Sequence, residues 1–349
     1  MTRGPDPDPW SPEQRLVVRA DGSVVCRVPA RVGLVGNPSD GYGGAVLATV
    51  VPAFAAEVTA SESSGVTIEG PGAPAAWPSL DEWRTSVCAH GHGDEQRIAS
   101  ASLAVLDDHL TARGRVDRTG VRIGWRTTVP RSVGLAGSSA IAVATIDAAA
   151  AVWGASLDRR VVAALALSAE RDVLGIAAGW QDRVVQAEGR TVLVDTAAME
   201  DDDGVTVPRV VPVGWPEPHG VELLLAWAAG AATSSDDYHA PLRRSADTLA
   251  APMAELGALA RTAADAWTAG DAAALATAMD TGWRLRQTHA PLRADHAALV
   301  ESVRDHGLPA TTPGSGGAVV AVCTDPAAVD RATAALSAAG HPVARWRTR

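Results

Sequence analysis

The sequence predicts an α+β protein built from two α/β domains, and three observations carry that prediction. Its 349 residues exceed the usual size of one domain. Strand-like and helix-like stretches alternate along it with short connections, which places it among the mixed classes. An acidic run at 197–204 divides the alternation into two halves, so the domains are predicted at 13–200 and 205–349. Hydrophobic residues make up 47% and charged residues 20%, enough for a substantial core.

The elements follow in order. Residues 1–12 are rich in Pro and Asp and are expected to be loose. Residues 23–29 read as a strand, and Arg31-Val-Gly-Leu-Val-Gly36 is apolar and runs into a turn-rich segment, Gly36-Asn37-Pro38-Ser39-Asp40-Gly41-Tyr42-Gly43-Gly44. Residues 45–60 read as a long strand interrupted at Pro52, and 61–79 as short strands and loop. Helical spacing of Ile98, Leu103, Leu106 and Leu110 predicts a helix over 95–113, stopped by Gly114. Residues 120–126 alternate as a strand does. Residues 140–153 are almost unbroken Ala, Ile and Val without Gly or Pro, a good helix former. A second helix over 158–174 leads into Gly175-Ile-Ala-Ala-Gly179-Trp-Gln-Asp182, and 189–195 reads as a strand.

Beyond the acidic run, a strand over 221–227 precedes a polar loop at 230–239. Helices are predicted over 241–259, over 260–286 with a break near Gly270, and over 291–305. Pro291 suits the first position of the last of these, where a missing N–H costs nothing. A Gly-rich turn at 311–317 runs into a strand over 318–323. A helix over 326–339 and a strand over 343–346 close the chain, which has no internal repeat.

The formal net charge is -10 and the pI about 5.4. That balance argues against nucleic acid or an anionic membrane as a partner. The chain has no lysine, so an anion site must rely on Arg, backbone N–H groups and metal. Cys26, Cys88 and Cys323 are scattered and odd in number, without metal-ligand spacing, and suggest a reducing compartment. The first residues do not read as a signal peptide, and no apolar run reaches membrane-spanning length. A cytoplasmic location is expected, and the oligomeric state stays open. His90 and His92 flank Gly91 beside Gly93, which reads as a flexible loop rather than a metal pair.

One stretch organises the rest. Gly134-Leu135-Ala136-Gly137-Ser138-Ser139 stands between a predicted strand and the Ala-rich helix. Its glycines allow close approach of a ligand. Its serines lie where a helix start offers free N–H groups and the positive end of the helix dipole. In physical terms this is a phosphate cradle. The same residues also read as an ordinary N-cap, and they match neither a Walker loop nor Gly-x-Gly-x-x-Gly.

Three Gly-rich stretches stand in a fixed order: Pro29-Ala30-Arg31 through Asp40, Gly134 through Ser139, and Gly314-Ser315-Gly316-Gly317. Together they resemble the family of galactokinase, homoserine, mevalonate and phosphomevalonate kinases, over nearly the whole chain. Within that family the segments Arg31 to Gly44, Gly134 to Ile141, Gly175 to Gln186 and Gly314 to Val320 look closest to the glucuronokinases. The resemblance implies an N-terminal ATP-binding α/β domain and a C-terminal ferredoxin-like α/β domain, with the active site between them. It implies ATP and Mg²⁺, and a small sugar or uronic acid as the second substrate.

The resemblance also assigns roles. Backbone N–H groups of Leu135, Ala136, Gly137, Ser138 and Ser139, after Gly134, would cradle ATP phosphates. Ser138 and Glu170 would ligate Mg²⁺, a hard cation that takes oxygen. Glu170 alone reads as a solvated helix charge beside Arg171. Asp182 matches the candidate base, and Arg31 the cation facing it, a Lys in mevalonate kinase and an Arg in galactokinase. Asp182 by itself also reads as a helix N-cap. Gly314 to Gly317, with Gly316 at the substrate, would form a backbone turn beside the ligands. Asn37, Asp40 and Tyr42 would face the sugar. Galactokinases carry Gly-Glu-His-Thr-Asp where this chain has Gly36-Asn37-Pro38-Ser39-Asp40, with the Glu toward the C6 end of the sugar. Asn37 removes that charge, as a uronate carboxylate would require, although Asn before Pro also starts turns for local reasons. Ser234, Ser235 and His239 match a glucuronokinase loop without a derivable role.

The chain departs from the family pattern at Ala30 and Ala136, where Gly is usual, and at Arg190, which replaces the second Gly of a pair on an expected exposed turn. The implied function is an ATP-dependent sugar-1-kinase acting on glucuronate. A kinase for a neutral sugar or heptose phosphate, and a non-catalytic sugar sensor on the same fold, are the alternatives. Retention of Asp182, Arg31, Glu170 and the serine pair weighs against the sensor.

Overall fold

The computed structural model describes residues 15–348, apart from 116–117, 203, 217–219, 229–237, 239–241, 243 and 245. The start at 1–12 and the residues Ser234, Ser235 and His239 lie outside the described residues.

The first sheet contains β1 (Leu16–Val18), β2 (Val24–Val35), β3 (Ala45–Ser63), β4 (Val66–Glu69), β5 (Ala75–Trp77), β6 (Gly120–Thr127), β7 (Val192–Asp202) and β8 (Val205–Pro212). Its order is β1-β2-β3-β6-β4-β5, and β7 joins β3 to β8. The 19-residue β3 is the spine. Its first half pairs with β7 and its second half with β6, while β2 runs antiparallel along the other edge. Pro52 does not interrupt β3. The register against β2 shifts there, from Ala30↔Val51 to Pro29↔Ala55, so that residues 52–54 bulge out of the ladder. A proline is tolerated at such a bulge because no ladder hydrogen bond needs its nitrogen.

Helices α1 (Leu80–His90), α2 (Arg97–Ala112), α3 (Gly137–Val152), α4 (Arg159–Ser168) and α5 (Trp180–Glu188) complete the first half. Helix α1 was not expected from the sequence. Only Trp83 and Val87 of its residues are buried, one turn apart, and Ser79 caps it by accepting from the Glu82 N–H. The helix expected to continue to 174 ends at Ser168 and passes into a π turn, Ala169–Val173.

The second sheet is β10-β11-β9-β12, built from β9 (Glu222–Trp227), β10 (Ala310–Thr311), β11 (Ala318–Val322) and β12 (Val343–Arg347), all antiparallel. Helices α6 (Ala246–Ala269), α7 (Ala272–His289) and α8 (Ala294–Arg304) separate β9 from β10, and α9 (Pro326–Ala338) separates β11 from β12. In chain order the strands lie 4-1-3-2, the ferredoxin-like arrangement that the family resemblance implied. Pro291 does not open α8: the helix starts at Ala294 with Arg293 at its N-cap. Pro326 does occupy the first turn of α9.

Residues 197–202 of the acidic run expected to part the domains continue β7, which pairs with β8 as a hairpin, Asp202 opposite Val205. A hairpin can carry such charges because its tip is solvated. Strand pairing therefore extends the first sheet to Pro212. The two halves share a core. Val46, Ala48 and Val50 of β3 pack among α2 to α5, whereas Ala45, Leu47 and Val51 pack against Leu223, Leu225 and Val320 of the second sheet and Trp267 of α6. Helices α8 and α9 cover the far face of the second sheet. Among the described residues no helix is long and apolar enough to cross a membrane.

Candidate active site

The site lies where β2, α3, α5 and the β10–β11 turn converge. Arg31, on β2, is buried and donates from Nε to Asp182 Oδ1 at 2.7 Å, with Nη2 2.6 Å from the same oxygen. Its Nη1 donates to the carbonyls of Gly134 at 2.7 Å and Pro313 at 2.9 Å. One guanidinium thus joins all three Gly-rich stretches to the carboxylate. Asp182 stands in the first turn of α5, and its side chain is 22% exposed, so the pair is reachable from solvent. The α5 N-cap is Gly179 rather than Asp182.

Asp40, in the 3-10 turn Ser39–Gly41, reaches the same helix start and accepts from the Gln181 N–H at 3.0 Å. A Cβ on Gly179 would stand 2.6 Å from Asp40 Oδ2, so the approach requires glycine. Burial pushes the Asp40 carboxyl up to about 6, and the nearby Asp182 charge adds to this; the Gln181 N–H, Arg31 and Arg183 oppose it. A carboxyl whose folded value lies above its unfolded one binds its proton more tightly when folded. The Asp40 contribution to stability is therefore present below about pH 4 and is lost as pH rises to about 6. Asp40→Asn should remove that slope from chemical-denaturation curves taken between pH 4 and 7. It should also stabilise the protein at pH 7 by about 2–3 kcal/mol. An unchanged pH slope would mean that Asp40 does not titrate in that window.

The predicted cradle forms as a left-handed turn entering α3. Ala136, the α3 N-cap, has φ 62° and ψ 46°. This explains why Gly is usual at that position: a side chain there costs roughly 1–2 kcal/mol. Gln186 of α5 fixes the turn by donating to the Ala136 carbonyl at 2.8 Å and the Pro29 carbonyl at 3.1 Å. Ser138 is exposed at the helix start, whereas Ser139 is buried. The third stretch lies directly against the second: a Cβ on Gly314 would be 2.5 Å from the Gly134 carbonyl oxygen. The Pro313 carbonyl accepts from Arg31, from the Gly33 N–H at 3.0 Å and from Asn37 Nδ2 at 3.3 Å.

Glu170, in the π turn, is fully buried, and its Oε2 accepts from Arg183 Nε at 2.7 Å and from Nη2. Arg183 also approaches Asp182 Oδ2 at 3.5 Å. Burial pulls the Arg183 guanidinium down, but the Glu170, Asp182 and Asp40 charges outweigh it and hold it above its ordinary value. The bland reading of Glu170 as a solvated charge beside Arg171 is corrected: Arg171 pairs with Asp172, and Glu170 points inward. Glu170 Oε1 and Ser139 Oγ are buried with no hydrogen-bond partner among the described residues. Carboxylate and hydroxyl oxygens are the ligands a hard divalent cation takes, and Glu170 and Ser139 each leave one unused.

Comparison with known proteins places this arrangement. The GHMP kinases N terminal domain matches residues 98–190, and the GHMP kinases C terminal domain matches residues 248–342. The chain belongs to the GHMP kinase family. Glucuronokinase 1 of Arabidopsis thaliana is 27% identical over 325 residues, covering 88% of this chain and 87% of that protein. Lactococcus lactis galactokinase complexed with galactose superposes with TM-score 0.72 at 15% identity, over 94% of this chain and 93% of the other. Streptococcus pneumoniae phosphomevalonate kinase in complex with phosphomevalonate and AMPPNP superposes with TM-score 0.75 at 13% identity, over 93% and 99%.

In this GHMP kinase Asp182, Arg31, Asp40, Asn37 and the Gly134 turn gather at one place. Tyr42 sits slightly apart, packed against the Leu249, Met253 and Leu256 face of α6. Gly316 is buried at φ 121°, and a Cβ there would stand 2.1 Å from His296 Nδ1, so it meets α8 directly. Burial lowers the His296 value; Asp295 opposes and Arg293 adds to the shift. Arg190 is exposed, 3.7 Å from Glu188. Sequence reasoning missed Arg183, Gln186 and Arg286. Arg183 directly follows the candidate base, a position that could have drawn notice. Nothing in the local sequence marks Arg286.

Proposed function

We infer that this GHMP kinase transfers the γ-phosphoryl group of ATP to the anomeric hydroxyl of D-glucuronate, giving glucuronate 1-phosphate. The Asp182–Arg31 pair, set at the junction of the three Gly-rich stretches, carries the reading. Asp182 accepts the proton of the anomeric hydroxyl as its oxygen bonds to the γ-phosphorus. The bond from that phosphorus to the bridging oxygen breaks, and ADP leaves with the electron pair. Arg31 holds the carboxylate in place with two N–H groups on one oxygen. Backbone N–H groups at the start of α3 bind the phosphates, where free donors and the helix dipole favour anions. Ser138, with the buried Ser139 hydroxyl beside it in sequence, and Glu170 would hold magnesium, which supplies charge neutralisation on the phosphates when bound. Asp40 offers a hydrogen-bonding carboxyl to the sugar.

The choice of a uronate rests on the likeness to glucuronokinase over most of both chains and on Asn37. Its amide donates one N–H to Pro313, and Nδ2 carries a second. A coupled ADP-release assay over a panel of sugars and uronic acids tests the reading, with glucuronate expected far ahead of glucose and galactose. Asn37→Glu should lower the ratio of uronate to neutral-sugar kcat/KM by about tenfold or more, since like-charge contacts at an interface cost several kcal/mol. Equal loss on both substrates would reduce Asn37 to a turn residue, and a wild-type preference for neutral sugars would end the glucuronate reading.

A further inference from the structure

Arg286, on α7, is a cation of the site that the phosphoryl-transfer reading leaves unused. It is 1% exposed. Its Nη2 donates to the Gly314 carbonyl at 2.7 Å, its Nη1 to the Thr312 carbonyl at 3.4 Å and its Nε to the Tyr238 hydroxyl at 3.1 Å. The guanidinium also lies 5.1 Å from the centre of the Tyr238 ring. All of these partners are neutral. The other buried arginines among the described residues each face a carboxylate: Arg15 faces Asp147, Arg31 faces Asp182 and Arg183 faces Glu170. Arg286 alone is a desolvated charge with no counter-ion among the described residues. Burying a charge in that state is costly, and the cost falls when an anion arrives.

The position indicates which anion. Arg286 and Asn37 line the same cavity of about 10 Å³, which Thr311 and Thr312 also line. That space holds about one water or one carboxylate oxygen. Arg286 and Arg31 together hold three successive carbonyls, those of Thr312, Pro313 and Gly314, so the cation stands one turn from the base–arginine pair. A guanidinium carries five N–H donors, and the three named bonds leave others for a ligand. We propose that Arg286 is the specificity residue that recognises the carboxylate of the acceptor substrate, with Asn37 donating to the same group. The proposal rests on the uronate reading and names the cation that reading lacks.

The test compares glucuronate with glucuronamide, which has the same shape without the charge. Wild type, Arg286→Met and Arg286→Lys are assayed for kcat and KM on both acceptors and for KM on ATP. Arg286→Met should reduce the acid-to-amide preference by about 10–100-fold, mainly through KM, the scale of one hydrogen bond to a charged group. Arg286→Lys, which keeps the charge and loses the fork, should fall between. Thermal protection by glucuronate over glucuronamide supplies a readout that needs no turnover, and Arg286→Lys carries it if the Met variant does not fold. Equal losses on acid and amide would overturn the proposal and leave Arg286 as a strut for the 312–314 turn. A rise in KM for ATP alone would assign the charge to the nucleotide. A wild type that ignores uronates would sink the underlying reading as well, which differs from a wild type that prefers the acid while the Met variant keeps that preference.

Discussion

Asp182→Asn is expected to lower kcat by about 10²–10⁴-fold, the usual contribution of a general base. The amide keeps the shape and still accepts from Arg31, so the α5 start should remain in place. KM for the sugar should change little, because the loss falls on the transition state. Steady-state kinetics with glucuronate would check this. A loss confined to KM would make Asp182 a binding residue. A wild type with no turnover on any sugar, yet with sugar binding intact, would be the sensor outcome.

Arg183→Met is expected to destabilise the fold by about 3–5 kcal/mol, the range for breaking a buried ion pair from one side. Glu170 is fully buried and its Oε2 has two contacts to the Arg183 guanidinium. Removing the cation leaves that carboxylate without its counter-charge. The double substitution Arg183→Met with Glu170→Gln should recover much of the loss, because both charges then go together. Equilibrium urea unfolding of the three variants measures the coupling directly. A Met variant within about 1 kcal/mol of wild type would show that water reaches the pair, as it does for surface ion pairs.

Much of the fold was legible because the signals were local. The helix at α3 follows from an unbroken apolar, Gly-free run, and β3 from its length of β-branched and small residues. Helix α1 is carried by three apolar positions, Leu80, Trp83 and Val87, at helical spacing, too short a stripe to stand out beside the polar and small residues between them. The acidic run at 197–204 looked like a linker because its composition suits one, whereas hairpin tips have the same composition. The π turn at Ala169–Val173 leaves no mark in residue spacing. Site candidates tied to glycine patterns, Arg31, Asp182 and the 134–139 turn, can be picked out of the sequence, and the structure brings them together. Arg183 and Arg286 act through contacts that span secondary elements, and such pairings are set by packing rather than by sequence separation. Helix α8 and strand β10 lie in the chain between Arg286 and the Thr312 and Gly314 carbonyls it meets.

The Pro313 carbonyl, which receives donors from β2 and from the turn after it, and the close meeting of Gly134 with Gly314 have a consequence for how such an enzyme diverges. On the proposed roles, the places for the phosphate donor and the sugar would rest on a common floor of peptide groups. Peptide groups survive substitution of side chains. The span the phosphoryl group must cross is then written in main-chain geometry, while the identity of the acceptor is written in a few side chains around it. A lineage can exchange Asn37 or its neighbours and take a new sugar without resetting the reach of the reaction. An insertion of one residue in the 312–317 turn would change both at once.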